Sequence, residues 1–249
     1  MHSNKYIYTF VFILTAVVAL VLASMFTFLK PIHDKNEAVY NKKAILGAVA
    51  TKLDGDYKKL SDDDIQGIFD QSIEQVVLDT KGNVLSQDQI MTKSFGATTA
   101  EEIDMAKEKK KPLDQRSLPL YVYTAKDGKQ YYIVTVRGNG LWDEIWGNIA
   151  FEEDLETIAG VSFDHKGETP GLGAEIKDNK GWYSQYIGKK IYDDQGNFTS
   201  VNAIKGGAKD PNHEVDGISG ATITADGVND MMEIGLQLYE TYFNKLKQS

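Results

Sequence analysis

The 249-residue chain contains no cysteine. That absence excludes disulfides, cysteine-ligated iron–sulfur clusters, thiol-attached haem, thiol nucleophiles and a cysteinyl flavin. Positive charge is also short: 27 Lys and Arg stand against 36 Asp and Glu, a formal net charge of −9. A general nucleic-acid binder needs a basic face, so nucleic acid is not expected as a partner. Histidine occurs four times, as His2, His33, His165 and His213, and no two of them fall at metal-ligand spacing. His165 and His213 lie in polar segments and read as solvated side chains, and no metal site is expected. Neither the phosphate loop G-x-x-x-x-G-K-[ST] nor G-x-G-x-x-G after a strand occurs, which removes the ordinary nucleotide cradles. No residue is assigned a catalytic role.

Mean hydropathy is only −0.34 although one run is strongly apolar, so the remainder must be a polar, water-facing globule. That run, Tyr6 to Leu29, is 24 residues without a charge. At about 1.5 Å per residue a helix of this length exceeds a hydrocarbon layer roughly 30 Å thick. A signal-peptide core is about 7–15 residues, so the run reads as an uncleaved anchor rather than a leader. Lys5 precedes it and Lys30, Lys35, Lys42 and Lys43 follow. Charge counting would hold the following domain in the cytoplasm, yet long domains translocate largely regardless of charge, so sidedness stays open.

Beyond the anchor, Ala38–Val49 continues as a helix, and Ser61-Asp62-Asp63-Asp64 caps another. Gln75–Asp79, Lys81-Gly82-Asn83 and Val84-Leu85 suggest a hairpin, and Thr98–Lys111 suggests a charged, exposed helix ended by Pro112. Leu120–Ala125, Asp127-Gly128 and Gln130–Val136 give the clearest hairpin, with Ile149–Phe151 and Thr157–Phe163 as further strands. From Ala225 a final helix places Val228, Met231, Met232, Leu238, Tyr239, Tyr242 and Leu246 on one face, where Gly235 allows close packing. The expected fold class is therefore α+β: one N-terminal transmembrane helix, then a mostly antiparallel sheet domain with flanking helices. The organisation reads as tail 1–5, transmembrane helix 6–29, membrane-proximal α+β region 30–118 and a second domain 119–249.

Three glycine-bearing segments carry the chemistry: Gly138-Asn139-Gly140-Leu141-Trp142 with Trp146-Gly147, Glu168-Thr169-Pro170-Gly171-Leu172-Gly173, and Ser219-Gly220-Ala221-Thr222-Ile223-Thr224. The third places small residues, hydroxyls and bare N–H groups at a helix start, an arrangement suited to a phosphate. Each segment alone is accounted for by a turn or an N-cap. Together they fit a planar ligand that carries a phosphate.

Ser219-Gly220-Ala221-Thr222-Ile223-Thr224 matches the S-G-A-T-x-T flavinylation motif, and the chain resembles the FMN-binding domain family. With His213-Glu214-Val215-Asp216-Gly217, the Thr-Pro-Gly-Leu-Gly turn and Gly140-Leu141-Trp142, it looks like the C-type branch of that family, found in sodium-translocating NADH:quinone reductases. The resemblance runs from the amino-terminal span to the end and is strongest over about residues 135–240. It implies FMN joined to Thr224 by a phosphoester that a flavin transferase makes, with Ser219, Gly220, Ala221 and Thr222 around the phosphate. Thr222 is the rival acceptor. For the ring we expect Leu141 and Trp142 as walls, core packing being the equal alternative for Trp142, with Thr169, Gly171, Leu172 and Gly173 from the turn and Glu168 as a hydrogen-bonding partner of the turn or of the flavin. Lys205 reads first as a surface charge; near the ring's pyrimidine edge it would favour an anionic reduced flavin.

The family further implies a redox relay inside a complex that oxidises NADH, reduces ubiquinone and exports sodium. Its partners there are other membrane, flavin and iron–sulfur subunits, and membrane lipid. The setting it implies is a single-pass protein of the bacterial inner membrane with its flavin domain on the periplasmic side. The G-type flavoprotein of the Rnf electron transport complex shares two of the motifs and the same phosphoester-linked FMN, and is the alternative. A membrane-anchored binding module without cofactor, its hydroxyl-rich turn no more than a helix cap, is the third reading.

Overall fold

The computed structural model describes residues 3–248 apart from Asp54 and Asp56, the side chain of Lys58 excepted; Met1 and His2 lie outside the described residues. A first unit, residues 1–41, and a second, residues 42–249, form separate compact bodies. Helix α1 (Asn4–Ala48) carries the apolar run and passes through Pro31 without ending. The threonine and serine hydroxyls of the run are turned back on the helix: Thr9, Thr15, Ser24 and Thr27 donate to carbonyls four residues earlier at 2.8–2.9 Å. Such back-bonding leaves none of these hydroxyl hydrogens bare along a run whose apolar side chains are all exposed.

In the second unit, α2 (Asp62–Ser72) begins as expected, with Ser61 and Asp64 closing a reciprocal capping box. It runs directly into β1 (Ile73–Asp79). The expected turn after β1 forms: the Asp79 carboxylate accepts from Lys81 N and Asn83 N, and Gly82 takes φ +69°. Its second arm does not become a strand. Only Leu78 and Val84 bridge before Ser86 opens α3 (Gln87–Lys93), because β1 finds a longer partner elsewhere.

The expected helix over Thr98–Lys111 is broken. A 3-10 turn at Ala100–Glu102 and the short α4 (Met105–Glu108) replace it. Asp104 is the cause: its carboxylate accepts from Ala106 N and Lys107 N, starting a new helix where the old one should continue. Nor is the segment wholly exposed, since Glu108 is buried and accepts from Ser117 N and Lys111 Nζ.

The sheet is an antiparallel meander in the order β1, β2 (Ser117–Thr124), β3 (Gln130–Asn139), β4 (Glu144–Phe151) and β5 (Ile158–His165). The Asp127-Gly128 turn joins β2 to β3 with Leu120 opposite Val134. Strand β4 starts earlier than its apolar run suggested, taking in Trp146 and Gly147 of the first glycine segment. Short helices α5 (Glu175–Asp178) and α6 (Lys180–Tyr183) follow β5, then a parallel pair, β6 (Asn202–Ile204) and β7 (Glu214–Asp216).

Helix α7 (Thr222–Lys247) closes the core. Gly227, Met231, Gly235 and Tyr239 recur every four residues and form the stripe that lies on β3. A Cβ on Gly235 would stand 2.6 Å from Val136 Cγ1, and Gly138 on the strand leaves the matching room for Met231. The Tyr239 hydroxyl donates to the carbonyls of Pro119 and Thr135 at 2.9 and 3.1 Å, tying the helix to two adjacent strands. Expected face residues Val228, Met231, Met232 and Tyr239 are buried, while Leu238, Tyr242 and Leu246 pack at the margin.

Candidate functional site

The three glycine segments meet at one carboxylate. Glu168 lies in the loop after β5, 5% exposed, and its Oε1 accepts from Trp142 N at 2.9 Å while its Oε2 accepts from the Thr224 hydroxyl at 2.7 Å. Its own amide donates to His165 Nδ1 at 3.1 Å, which fixes the loop to the end of β5. Trp142 Nε1 donates to Thr169 Oγ1 at 3.1 Å, a second tie between the first segment and the second. An ion pair of Lys166 with Asp143 bridges the same two loops at 3.1 Å.

Two of the glycines are required by this approach. A Cβ on Gly140 would stand 2.4 Å from Glu168 Oε1, and one on Gly173 would stand 2.2 Å from Glu168 Oε2 and 2.7 Å from Thr224 Oγ1. Gly171 (φ +73°) and Gly220 (φ +77°) take the left-handed conformation that turns the second and third segments towards each other. Leu172 N and Ala174 N both donate to the Thr169 carbonyl, which closes the Thr169–Ala174 turn over the head of α7.

At that head the N-cap is Ala221, which has no side chain able to cap, and among the described residues no side-chain cap bond is made there. A 26-residue helix thus begins with its positive dipole end uncapped, the condition under which an anion is favoured. Thr222 is partly buried and Ser219 exposed, while Thr224 is 1% exposed beneath the Leu172–Gly173 turn. The acceptor hydroxyl expected at the mouth of the helix therefore lies inside it. Around this point Leu141, Trp142, Leu172 and Ile223 form an exposed apolar rim, Trp142 at 67%. Such a rim beside an anion-favouring helix start fits an apolar ring joined to a phosphate.

Of the residues expected at the site, Leu141, Trp142, Glu168, Thr169, Gly171, Leu172, Gly173, Ser219, Gly220, Ala221, Thr222 and Thr224 belong to these three convergent segments. Lys205 lies just after β6, beside the backbone of Gly217, and is exposed; among the described residues no hydrogen bond or ion pair joins it to the cluster.

Neither histidine is free in solvent as expected. His165 positions Glu168. His213 is held by Asp210 Oδ2 at 2.8 Å and the Tyr192 carbonyl at 3.0 Å. Burial works against charging His213, but the Tyr192 carbonyl and the Asp210 carboxylate outweigh it and raise its pKa above the ordinary value. Sequence spacing could not place His165 against Glu168, because the contact depends on where β5 ends.

A family model described as the FMN-binding domain matches residues 140–237, which takes in the second and third segments and the first from Gly140 onward. NqrC, the C-type component of the Na(+)-translocating NADH-quinone reductase, from Neisseria meningitidis serogroup A is 33% identical over 93% of this chain and 90% of its own. The same component from Pseudomonas aeruginosa is also 33% identical, over 90% of each chain. Among solved structures, that of the Parabacteroides distasonis counterpart superposes with TM-score 0.71 at 30% identity, covering 86% of this chain and 96% of that one. Shewanella oneidensis NqrC gives TM-score 0.67 at 28% identity, covering 88% and 100%.

Proposed function

This chain belongs to the NqrC family of the Na(+)-translocating NADH-quinone reductase, and on that premise we propose that it is the FMN-bearing electron relay of such a complex, with the flavin held as a phosphoester on Thr224. The observation that carries the residue assignment is the place of the Thr224 hydroxyl, in the uncapped first turn of α7 and inside the convergence of all three segments. Thr222, the first residue of the helix, has no such partner among the described residues. The full-length relatives being pump components favours the pump over the Rnf G-type flavoprotein. The helix-cap reading loses its support because Ala221 and not a hydroxyl residue stands at the cap.

FMN, when bound, supplies one- and two-electron transfer, and a phosphoester leaves its ring electronically untouched, so the pocket sets the potential. In this reading the chain's own residues do the rest. The amides of Thr222, Ile223 and Thr224, in the first turn of α7, would hold the phosphate charge. Leu141, Trp142 and Leu172 would shield the ring from water on their side, and Thr169 holds the Trp142 indole in place through the 3.1 Å bond. The Leu172–Gly173 turn has to draw back for Thr224 to be reached, since it now covers the hydroxyl.

Residues 119–249 form the proposed flavin domain and residues 30–118 the membrane-proximal region, which lends β1 to the same sheet. Helix α1 is the proposed single-pass anchor, in contact with lipid, in a bacterial inner membrane beside the other subunits of the complex. A flavin transferase is the proposed maturing enzyme, and the periplasmic face the proposed side of the domain.

A denaturing gel viewed under ultraviolet light tests the bond. Protein from a transferase-competent host should give a fluorescent band that Thr224→Ala abolishes and Thr222→Ala retains. A dark wild-type band, or the reverse pattern in the variants, refutes the assignment.

A further inference from the structure

A threonine hydroxyl is a weak nucleophile until something takes its proton. The acceptor chain already holds the means. Thr224 Oγ1 donates to Glu168 Oε2 at 2.7 Å, and both groups are buried. Among the described residues no cation pairs with this carboxylate; its donors are Thr224 and the Trp142 amide. Gly140 and Gly173 are stripped of side chains at the points where Glu168 makes its closest approaches. The cradle thus keeps a carboxylate oxygen on one hydroxyl of the motif and on no other.

We propose that Glu168 is a catalytic residue of this chain's own flavinylation, the base that activates Thr224 and selects it over Thr222. The inference rests on the reading of Thr224 as the attachment site. In the transfer, Thr224 Oγ1 bonds to the flavin-side phosphorus of a pyrophosphate-linked flavin dinucleotide. The anhydride P–O bond breaks, and a nucleoside monophosphate leaves with the bonding pair. The hydroxyl proton passes to Glu168 Oε2, and no atom changes oxidation state. The transferase then has to deliver and orient the donor, while the acceptor brings its own proton acceptor.

This arrangement also accounts for the burial of Thr224. A hydroxyl shielded from water and bound to a carboxylate has its attacking lone pair directed by that bond. An exposed threonine such as one in a mobile loop would lack both constraints.

The experiment uses the full-length chain in detergent, purified flavin transferase and a flavin dinucleotide, and reads flavin incorporation by intact mass and peptide mapping. Glu168→Gln keeps the shape and an acceptor for Trp142 N while removing the base. It should lower kcat for incorporation by about 10²-fold or more and leave the KM for the chain unchanged. A folded Gln variant loaded at the wild-type rate, or one whose loss lies in KM, overturns the assignment. Should Glu168→Gln fail to fold, Gly173→Ala answers the same question, since its Cβ would push Oε2 and Oγ1 apart without removing either. It should be loaded slowly, and wild-type loading of that variant equally overturns the proposal. A wild-type chain that gains no flavin mass, or gains it at Thr222, removes the Thr224 reading and this one together. Wild-type loading at Thr224 beside an equally fast Gln variant removes only the role of Glu168.

Discussion

The packing of α7 on β3 sets two effects against each other at Gly227, and their sizes decide the outcome. Gly227→Ala in a free helix would stabilise by up to about 1 kcal/mol, because alanine gives up less backbone entropy. Here the added Cβ would stand 2.2 Å from the Asn139 carbonyl oxygen, 3.2 Å from its carbon and 3.4 Å from Gly140 Cα. All three atoms are backbone, so no rotamer change relieves the overlap; either α7 lifts or the β3–β4 turn moves. Overpacking of this kind costs about 1–3 kcal/mol, and the absence of a flexible neighbour puts this position at the upper end. The net expectation is a loss of about 2 kcal/mol. For a domain of this size that lowers Tm by about 4–8 °C, measurable by thermal unfolding of the detergent-solubilised chain. Gly140 is the residue next to Leu141 and Trp142, so the displaced turn should also slow flavin loading. A Tm equal to or above wild type would mean that helix propensity wins and that the close approach of α7 to β3 is not as described.

Tyr239→Phe removes the one hydroxyl that reaches the carbonyls of Pro119 and Thr135; the expected loss is about 1–3 kcal/mol in a urea midpoint, and an unchanged midpoint would refute the tie between helix and sheet. His213 has a folded pKa raised above its ordinary 6.5, so its contribution to stability is full below the unfolded pKa and is lost as pH rises through the folded value. Melting followed from acid to mildly alkaline pH should show that decline in the wild type and a flatter course in His213→Gln. Equal slopes would show that the Asp210 and Tyr192 contacts do not persist in solution.

The elements legible in the sequence are those whose cause is local. The capping box of Ser61 and Asp64, the Asp127-Gly128 hairpin and the apolar stripe of α7 each follow from residues close together in the chain. The unbroken helix over Thr98–Lys111 failed because its composition is helical but Asp104 offers the backbone a competing bond. The second arm after Asn83 failed for the opposite reason, a non-local one: β1 gains a full ladder with β2, far along the chain, and needs no partner in its own hairpin. At the site, the motif segments were legible as segments. What spacing could not supply was their convergence on Glu168, since the two donors to its carboxylate come from the β3–β4 turn and the head of α7, and the acceptor of its own amide from the end of β5.

Those three origins explain why a buried hydroxyl can be held so closely. The position of Thr224 is set twice. Along α7, the stripe of Gly227, Met231, Gly235 and Tyr239 fixes the helix in register on β3, with two glycines allowing close contact and one tyrosine locking the far end. Across the sheet, β3, β4 and β5 are paired through to Ile145 opposite His165, so the Trp142 and Glu168 loops leave one continuous ladder at the same edge. A change in the helix register moves Thr224 away from Glu168, and a change at the sheet edge moves Glu168 away from Thr224. Glycine at 138 and 227 therefore belongs to the site as much as glycine at 140 and 173, although the first pair touches none of the flavin-motif side chains. Substitution at either pair should reach the same endpoint, a lengthened bond between the hydroxyl and the carboxylate, by different routes. The first pair should do so with a loss of global stability, and the second with little.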